Sequence, residues 1–284
     1  MLSTDDDTQT LAIVQTFIRE RRDMTAFAGD SGVWLGGPDE LSLEPVIDEL
    51  RRRMPGKIVV GAPRIDYRET ISKSMEIEGK EMPARRVDGR YWYGHVWLRL
   101  DPVPEETKIS FVDAIRGDTV PSKFIPAVEE GIRSALKEGD LSGFPVAGLR
   151  VTLFDGSYHD NDSSAEAFFK AAFTACKDGL RQANPVVLEP IMFAEVITLD
   201  SFVGNIIGDL SSRRGLIVGQ DETGGSFVIR ARVPLSEMFG YSTELRAISQ
   251  STASFSMKFD HFDKVPIGKG PNDDEPKSMV MRAA

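Results

Sequence analysis

The amino-acid sequence predicts an α+β protein built as three domains, and three observations lead there. Its 284 residues suffice for two or three domains of ordinary size, and 41% hydrophobic with 27% charged residues is the balance of an ordinary folded chain. Helical and strand patterns are mixed within each segment instead of alternating strictly along the whole length. The clearest strand pattern is half-buried and antiparallel: Val96, Leu98 and Leu100 alternate with His95, Trp97 and Arg99. No apolar run approaches the ~18–20 residues of a membrane span. The acidic, polar N-terminus is not a secretory signal, so no membrane partner is expected.

The first segment, residues 1–62, reads α-β-β-α-β. Leu11, Val14, Phe17 and Ile18 share one face of a helix that begins near Asp6 or Asp7, where Asp5, Asp6 and Asp7 suit the positive helix end. Residues 25–35 read as a short hairpin around Gly29-Asp30-Ser31-Gly32. Leu43, Val46, Ile47, Leu50 and Met54 mark a second amphipathic helix, with Arg51, Arg52 and Arg53 near its end, and residues 57–60 a strand. One strand is missing for a complete split β-α-β unit, and the expectation is that the sequence begins just after it.

The second segment, residues 63–184, carries strands at 67–77, 91–100 and 109–115 and a helix at 124–137 on Ile125, Val128, Ile132 and Leu136. A strand at 146–154 and a helix at 163–182 follow, the helix capped by Asp162, Ser163 or Ser164. The single cysteine, Cys176, falls in an apolar helical pattern and reads as a buried structural thiol, which suits a reducing cytoplasm.

The third segment, residues 185–284, opens with a strand at 187–197 and a helix on Phe202, Val203, Ile206, Ile207 and Leu210. A hairpin of 216–220 and 227–233 turns across Glu222-Thr223-Gly224-Gly225, then come a helix at 235–250 and a strand at 253–259. This β-α-β-β-α-β order is the ferredoxin-like sandwich, of which the first segment is an incomplete version. The tail after Pro266 is rich in Gly, Pro, Asp and Lys and is expected to be loose, with a short terminal helix.

Few residues suggest chemistry. No histidine, serine and carboxylate set shows a nucleophile motif. The phosphate-cradling G-x-x-x-x-G-K-[ST] is missing too, since Gly56-Lys57 runs into Ile58 and Gly268-Lys269 into Gly270. No catalytic residue is assigned and the chain itself is not expected to be an enzyme. Asp155, Asp160, Asn161 and Asp162 fail as a calcium loop because Ala165 stands where the sharp-turn glycine is needed, so no metal is expected.

A net charge of −10 argues against a general nucleic-acid binder but not against contact through local basic spots. Arg85, Arg86 and Arg90 flank Tyr91, Trp92 and Tyr93, an interleaving that suits single-stranded RNA and equally an ordinary hairpin with cross-strand aromatic pairs. Arg213 and Arg214 end a helix, where cations stabilise the dipole. His159 lies between a strand and a helix, where it can hydrogen-bond or stack on RNA without a fixed charge. His95 reads as a strand residue and His261 as structural.

Several ordered motifs resemble the C-terminal part of elongation factor G, the translocation GTPase of the bacterial ribosome. Gly37-Pro38-Asp39-Glu40-Leu41-Ser42-Leu43-Glu44 is similar to the G-M-G-E-L-H-L-E run of its domain III. Val60-Gly61-Ala62-Pro63-Arg64-Ile65-Asp66-Tyr67-Arg68-Glu69-Thr70-Ile71 is similar to the opening of domain IV, continued by Phe144-Pro145-Val146 and Asp155-Gly156-Ser157-Tyr158-His159. Domain V is matched by Leu188-Glu189-Pro190-Ile191-Met192, Ile207-Gly208-Asp209-Leu210, Arg213-Arg214-Gly215, Glu237-Met238-Phe239-Gly240-Tyr241 and Phe259-Asp260-His261.

The resemblance implies a ferredoxin-like domain III (incomplete), a ribosomal protein S5 domain 2-like domain IV and a ferredoxin-like domain V. It implies a cytoplasmic monomer with the ribosome as partner, through ribosomal RNA of both subunits and A-site mRNA and tRNA. GTP and Mg²⁺ would belong to a nucleotide-binding part of the parent, outside this chain. The tip of domain IV, which mimics tRNA, would comprise Gly156 permitting a turn, Ser157, Tyr158, His159 and Asp160, with Arg90, Tyr91 and Trp92 from a neighbouring loop. Arg213 and Arg214 would contact large-subunit RNA. The expected function is translocation by insertion of domain IV into the A site.

The first tip loop departs from the family pattern. Where the family has a glycine-rich S-G-G-R-G-Q-Y-G-H-V, this chain has Val87-Asp88-Gly89-Arg90-Tyr91-Trp92-Tyr93-Gly94-His95-Val96. Bulky aromatics in place of glycines stiffen the loop, which points to a diverged paralogue acting in recycling or ribosome protection. A free-standing ribosome-binding protein without a GTPase part is the remaining alternative.

Overall fold

The computed structural model describes residues 4–19, 24–29, 32–36, 40–53, 58–60, 65–82, 92–104, 106–266, 268–271 and 281–283. The chain divides into two compact units, one of residues 1–65, 190–260 and 272–284 and one of residues 66–189 and 261–271. Among the described residues no helix is long and apolar enough to cross a membrane.

The N-terminal part follows the expected order: α1 (Thr4–Ile18), β1 (Thr25–Gly29), β2 (Gly32–Gly36), α2 (Glu40–Arg53) and β3 (Ile58–Val60). Val14 and Ile18 of α1 and Val46 and Leu50 of α2 close over Val33 and Leu35 of β2, so the helical period and the strand period meet in one core. The strand that the sequence lacks at this end comes from the other end of the chain. Residues Met281–Ala283 form β13, the last strand, and the sheet runs β1-β2-β13-β3. A terminal helix was the expectation for the tail; a strand forms at 281–283 because β2 and β3 otherwise present two rows of unpaired N–H and C=O groups.

In the unit of residues 66–189 and 261–271, β4 (Arg68–Ile71), β5 (Met75–Glu81), β6 (Gly94–Pro102) and β7 (Ile109–Asp113) precede a 3₁₀ turn at Ser122–Phe124. Then come α3 (Ile125–Ala135), β8 (Leu149–Ser157) and α4 (Ala165–Gln182). The single strand expected at 67–77 is two. Ser72 breaks it by donating its backbone N–H to Ala183 and Asn184 carbonyls at 3.2 and 3.1 Å. β4 then pairs with the start of β9 (Pro185–Thr198), whereas β5 joins the sheet β5-β6-β8-β7. The last two strands of that sheet are parallel, joined through α3; the rest are antiparallel.

Val96, Leu98 and Leu100 of β6 and Leu149, Val151 and Leu153 of β8 are fully buried against α4, whose Phe168 stacks on Phe124 at 4.7 Å between ring centroids. Each fully buried residue of this size contributes roughly 1.5–3 kcal/mol, so this core, not helix propensity, holds the elements in place.

In the other unit, β9, α5 (Asp200–Ser212), β10 (Leu216–Thr223), β11 (Ser226–Pro234), α6 (Tyr241–Ile248) and β12 (Ser254–Lys264) complete a ferredoxin-like sandwich with sheet order β10-β11-β9-β12. The helix expected at 235–250 is interrupted: Leu235–Glu237 is a 3₁₀ turn and Gly240, at φ +71°, is left-handed, so α6 starts afresh at Tyr241. Val196, Ile206, Leu210, Ile229, Ala231 and Val233 form the core.

Candidate functional site

The sequence-predicted residues fall into two places, one in each compact unit. The first is the connection between β8 and α4. β8 starts later than the apolar run suggests and runs on through Ser157, because a bulge at Phe154 shifts the register against β6. Past the bulge His95 stands directly opposite Ser157. Gly156 therefore sits in the strand and makes no turn. Its role is close approach: a Cβ there would lie 2.4 Å from the His95 carbonyl oxygen and 2.6 Å from Val120. Gly94 does the same at the start of β6, where a Cβ would lie 2.5 Å from the Ala167 backbone of α4.

The chain then closes on itself over residues 158–164. Ser163 donates its N–H to the His159 carbonyl at 3.0 Å, and the His159 N–H donates to Ser163 Oγ at 2.9 Å. Ser164 caps α4, its hydroxyl oxygen accepting from the Ala167 N–H at 3.2 Å. Tyr93 locks the loop from the side by donating its N–H to the Asp162 carbonyl at 2.9 Å. These bonds pin the loop at His159, Asp162 and Ser163, while the side chains of Tyr158, His159, Asp160 and Asn161 are exposed.

His159 Nδ1 lies 3.1 Å from Asp162 Oδ2, which orients the ring and directs Nδ1 as the donor. Nε2, which has no partner among the described residues, is then an acceptor for an incoming donor.

Beneath the loop lies a polar network that the sequence did not announce. Ser157 Oγ is 2.7 Å from both the Tyr93 hydroxyl and His95 Nδ1, and His95 Nε2 is 3.0 Å from Glu78 Oε1. Trp92 takes the Lys170 ammonium over its ring at 4.4 Å, so one aromatic of the first loop is tied to α4. Arg90 and Tyr91, expected beside it, and Arg85 and Arg86 lie outside the described residues. The structure therefore brings Trp92 and Tyr93 together with residues 157–163. No short-range signal could reveal this, because the contacts depend on strand register.

The second place is the end of α5. Arg213 donates from Nε to Asp209 Oδ2 at 2.9 Å and from a terminal nitrogen to the Glu237 carbonyl at 2.6 Å, with its guanidinium 5.1 Å from the Tyr241 ring centroid. Burial, reinforced by Asp209, pushes the Tyr241 phenol well above its usual range. Arg214 stands at φ +62°, the left-handed position after the helix, where the Gly215 N–H returns to the Leu210 carbonyl at 2.8 Å. A terminal nitrogen of Arg214 is 3.7 Å from Glu237 Oε1. Arg213 thus has a packing duty, and Arg214 occupies a conformation that costs a non-glycine residue roughly 1–2 kcal/mol. Among the described residues no group of three or more His, Cys, Asp or Glu is placed to hold a metal ion.

Two family models match this chain in succession: elongation factor G, domain IV, over residues 63–184, and elongation factor G C-terminus over residues 186–271. The chain belongs to the elongation factor G family. A solved structure of a Thermus thermophilus protein is similar over 93% of this chain, at 34% identity and a TM-score of 0.75, and the chain spans 40% of that protein's length. The β8–α4 loop lies in the stretch matched by elongation factor G, domain IV, and the α5 end in the stretch matched by the elongation factor G C-terminus.

Proposed function

We propose that this chain is the ribosome-facing part of an elongation factor G-type GTPase and that it promotes movement of tRNA and mRNA by placing domain IV in the A site. The carrying observation is the β8–α4 loop: its backbone is closed upon itself while Tyr158, His159, Asp160 and Asn161 present their side chains outward. A loop pinned by its own hydrogen bonds loses little conformational entropy on binding. It suits a part that works by filling space. Tyr158 offers a stacking surface and His159 Nε2 a hydrogen-bonding atom for unpaired bases. Occupancy of the vacated site excludes the returning tRNA sterically, and nucleotide hydrolysis with its Mg²⁺ belongs to a separate nucleotide-binding part of the parent. Arg214 and, through it, the α5 end would contact large-subunit RNA, with Arg213 setting its position. The cytoplasm and a monomeric state go with this reading.

A second reading, a diverged paralogue in recycling or ribosome protection, is favoured by the aromatic first loop, in which Trp92 is held by Lys170. Both readings share A-site occupancy.

Sedimentation of the chain with ribosomes carrying an empty or a tRNA-filled A site tests it. Binding lost when the A site is filled is the expected result; equal binding to both would overturn the reading.

A further inference from the structure

The loop between β8 and α4 has two ends, and one residue outside it holds both. Tyr93 stands just before β6 and forms a parallel bridge with Ser163. Its N–H donates to the Asp162 carbonyl at 2.9 Å, at the end where the loop enters α4. Its hydroxyl lies 2.7 Å from Ser157 Oγ, at the end where β8 stops. His95 is two residues further along the extended chain and so on the same face, and its Nδ1 reaches Ser157 Oγ at 2.7 Å. His95 and Ser157 are also register partners, and the bare Gly156 lets the two strands close up at this point.

The direction of each proton follows from the chemistry of the partners. Glu78 Oε1 is 3.0 Å from His95 Nε2, off the line of the ring N–H. A carboxylate only accepts, so an unprotonated Nε2 would face it lone pair to lone pair. Neutral His95 therefore carries its proton on Nε2 and offers Nδ1 as an acceptor. Ser157 must then donate to Nδ1, which leaves its oxygen to accept from the Tyr93 hydroxyl. The order Tyr93 to Ser157 to His95 runs one way only, and Glu78 sets that way.

We propose that Tyr93 is the positioning residue of the β8–α4 loop, and that Glu78 and His95 fix the tautomer that turns the Ser157 oxygen toward it. The proposal rests on the reading that this loop enters the A site. Tyr158 and His159 follow Ser157 directly, so holding Ser157 aims both side chains before the ribosome is met. An aimed loop has less freedom to lose on binding. Tyr93→Phe removes the hydroxyl and keeps the N–H, so one of the two holds is lost and the other stays.

In that variant the Asp162 and Ser163 amides, which return to the His159 carbonyl, should exchange with solvent about three- to tenfold faster, while the core amides of β6 and β8 keep their protection. Affinity for ribosomes with an empty A site should fall by about the same factor. Unchanged loop exchange, or unchanged affinity, would overturn the proposal. Indifference of the unaltered chain to A-site tRNA would sink the A-site reading instead, and loop exchange would still decide what Tyr93 does. In a Ser157→Ala background Tyr93→Phe should add nothing to loop exchange, because the hydroxyl has already lost its partner; additive losses would count against the hold. The tautomer has its own signature in ¹⁵N NMR of the imidazole in mildly alkaline solution. His95 Nδ1 should read as unprotonated and Nε2 as protonated, and Glu78→Ala should give a mixture. A proton on Nδ1 in the unaltered chain would overturn the part given to Glu78 and His95.

Discussion

Two loops of the same compact unit differ in what they do with their polar groups. The loop over residues 138–145 (Glu-Gly-Asp-Leu-Ser-Gly-Phe-Pro) is organised from inside. The Glu69 carboxylate, 2% exposed, accepts the backbone N–H groups of Leu141, Ser142 and Phe144 at 2.9, 2.7 and 3.0 Å. The loop over residues 158–163 (Tyr-His-Asp-Asn-Asp-Ser) is organised by its own main chain and Ser163 Oγ, and the side chains of Tyr158, His159, Asp160 and Asn161 face water. The first loop spends its polarity on stability, because a buried carboxylate needs donors. The second leaves its polarity available, which is the condition for recognising something else. The α5 end lies between these cases: Arg213 is turned inward and Arg214 is held in a strained position.

Substitutions that sharpen this contrast fall in a definite order. Glu69→Ala removes the acceptor of three loop N–H groups, that of Phe144 buried, and should destabilise its unit by about 2–3 kcal/mol, read as a shift in denaturant midpoint. Glu69→Gln, which keeps one acceptor oxygen, should cost less. Arg213→Ala removes two hydrogen bonds and a cation–π contact, and a loss of about 2 kcal/mol is expected in the same measurement. Arg214→Gly relieves the left-handed backbone and should raise stability by about 0.5–1 kcal/mol while lowering ribosome affinity in a salt series. If Arg214→Gly leaves ribosome affinity intact, the arginine is only a helix terminus.

His159→Ala should alter stability by no more than about 0.5 kcal/mol, since the ring is exposed and, among the described residues, tied only to Asp162. Its effect should appear in ribosome binding, and a large stability loss with normal binding would reverse the comparison between the two loops. Burial pushes the Cys176 thiol up to about 12, so a thiol reagent at pH 8 should leave the native chain unlabelled and react only as the α4 core opens. Rapid native labelling would mean that this core is looser than described.

Much of the fold was legible because apolar periodicity is local. The faces of α1, α2, α3 and α5 and the alternation in β6 follow directly from residue spacing. What escaped depends on partners distant in the chain. Glu69 sits in a strand-like run and nothing nearby distinguishes a buried acceptor from a solvated one; its donors are more than 70 residues away. Gly156 looked like a turn former, and only the register against β6 reveals that it makes room for the His95 carbonyl. The bulge at Phe154 and the return of residues 281–283 to the first sheet are likewise matters of pairing, which a single sequence does not encode locally. His159 and Asp160 were legible as exposed loop residues because a strand that ends in polar residues before a capped helix leaves few alternatives.

The buried native cysteine makes one direct measurement clean. Asp160→Cys places a single reactive thiol on the exposed loop, to which an iron chelate can be attached for hydroxyl-radical cleavage of ribosomal RNA. If the β8–α4 loop enters the A site, cuts will cluster in the small-subunit RNA around the decoding region and vanish when tRNA fills the site. Cuts elsewhere, or cuts indifferent to that tRNA, would contradict the account.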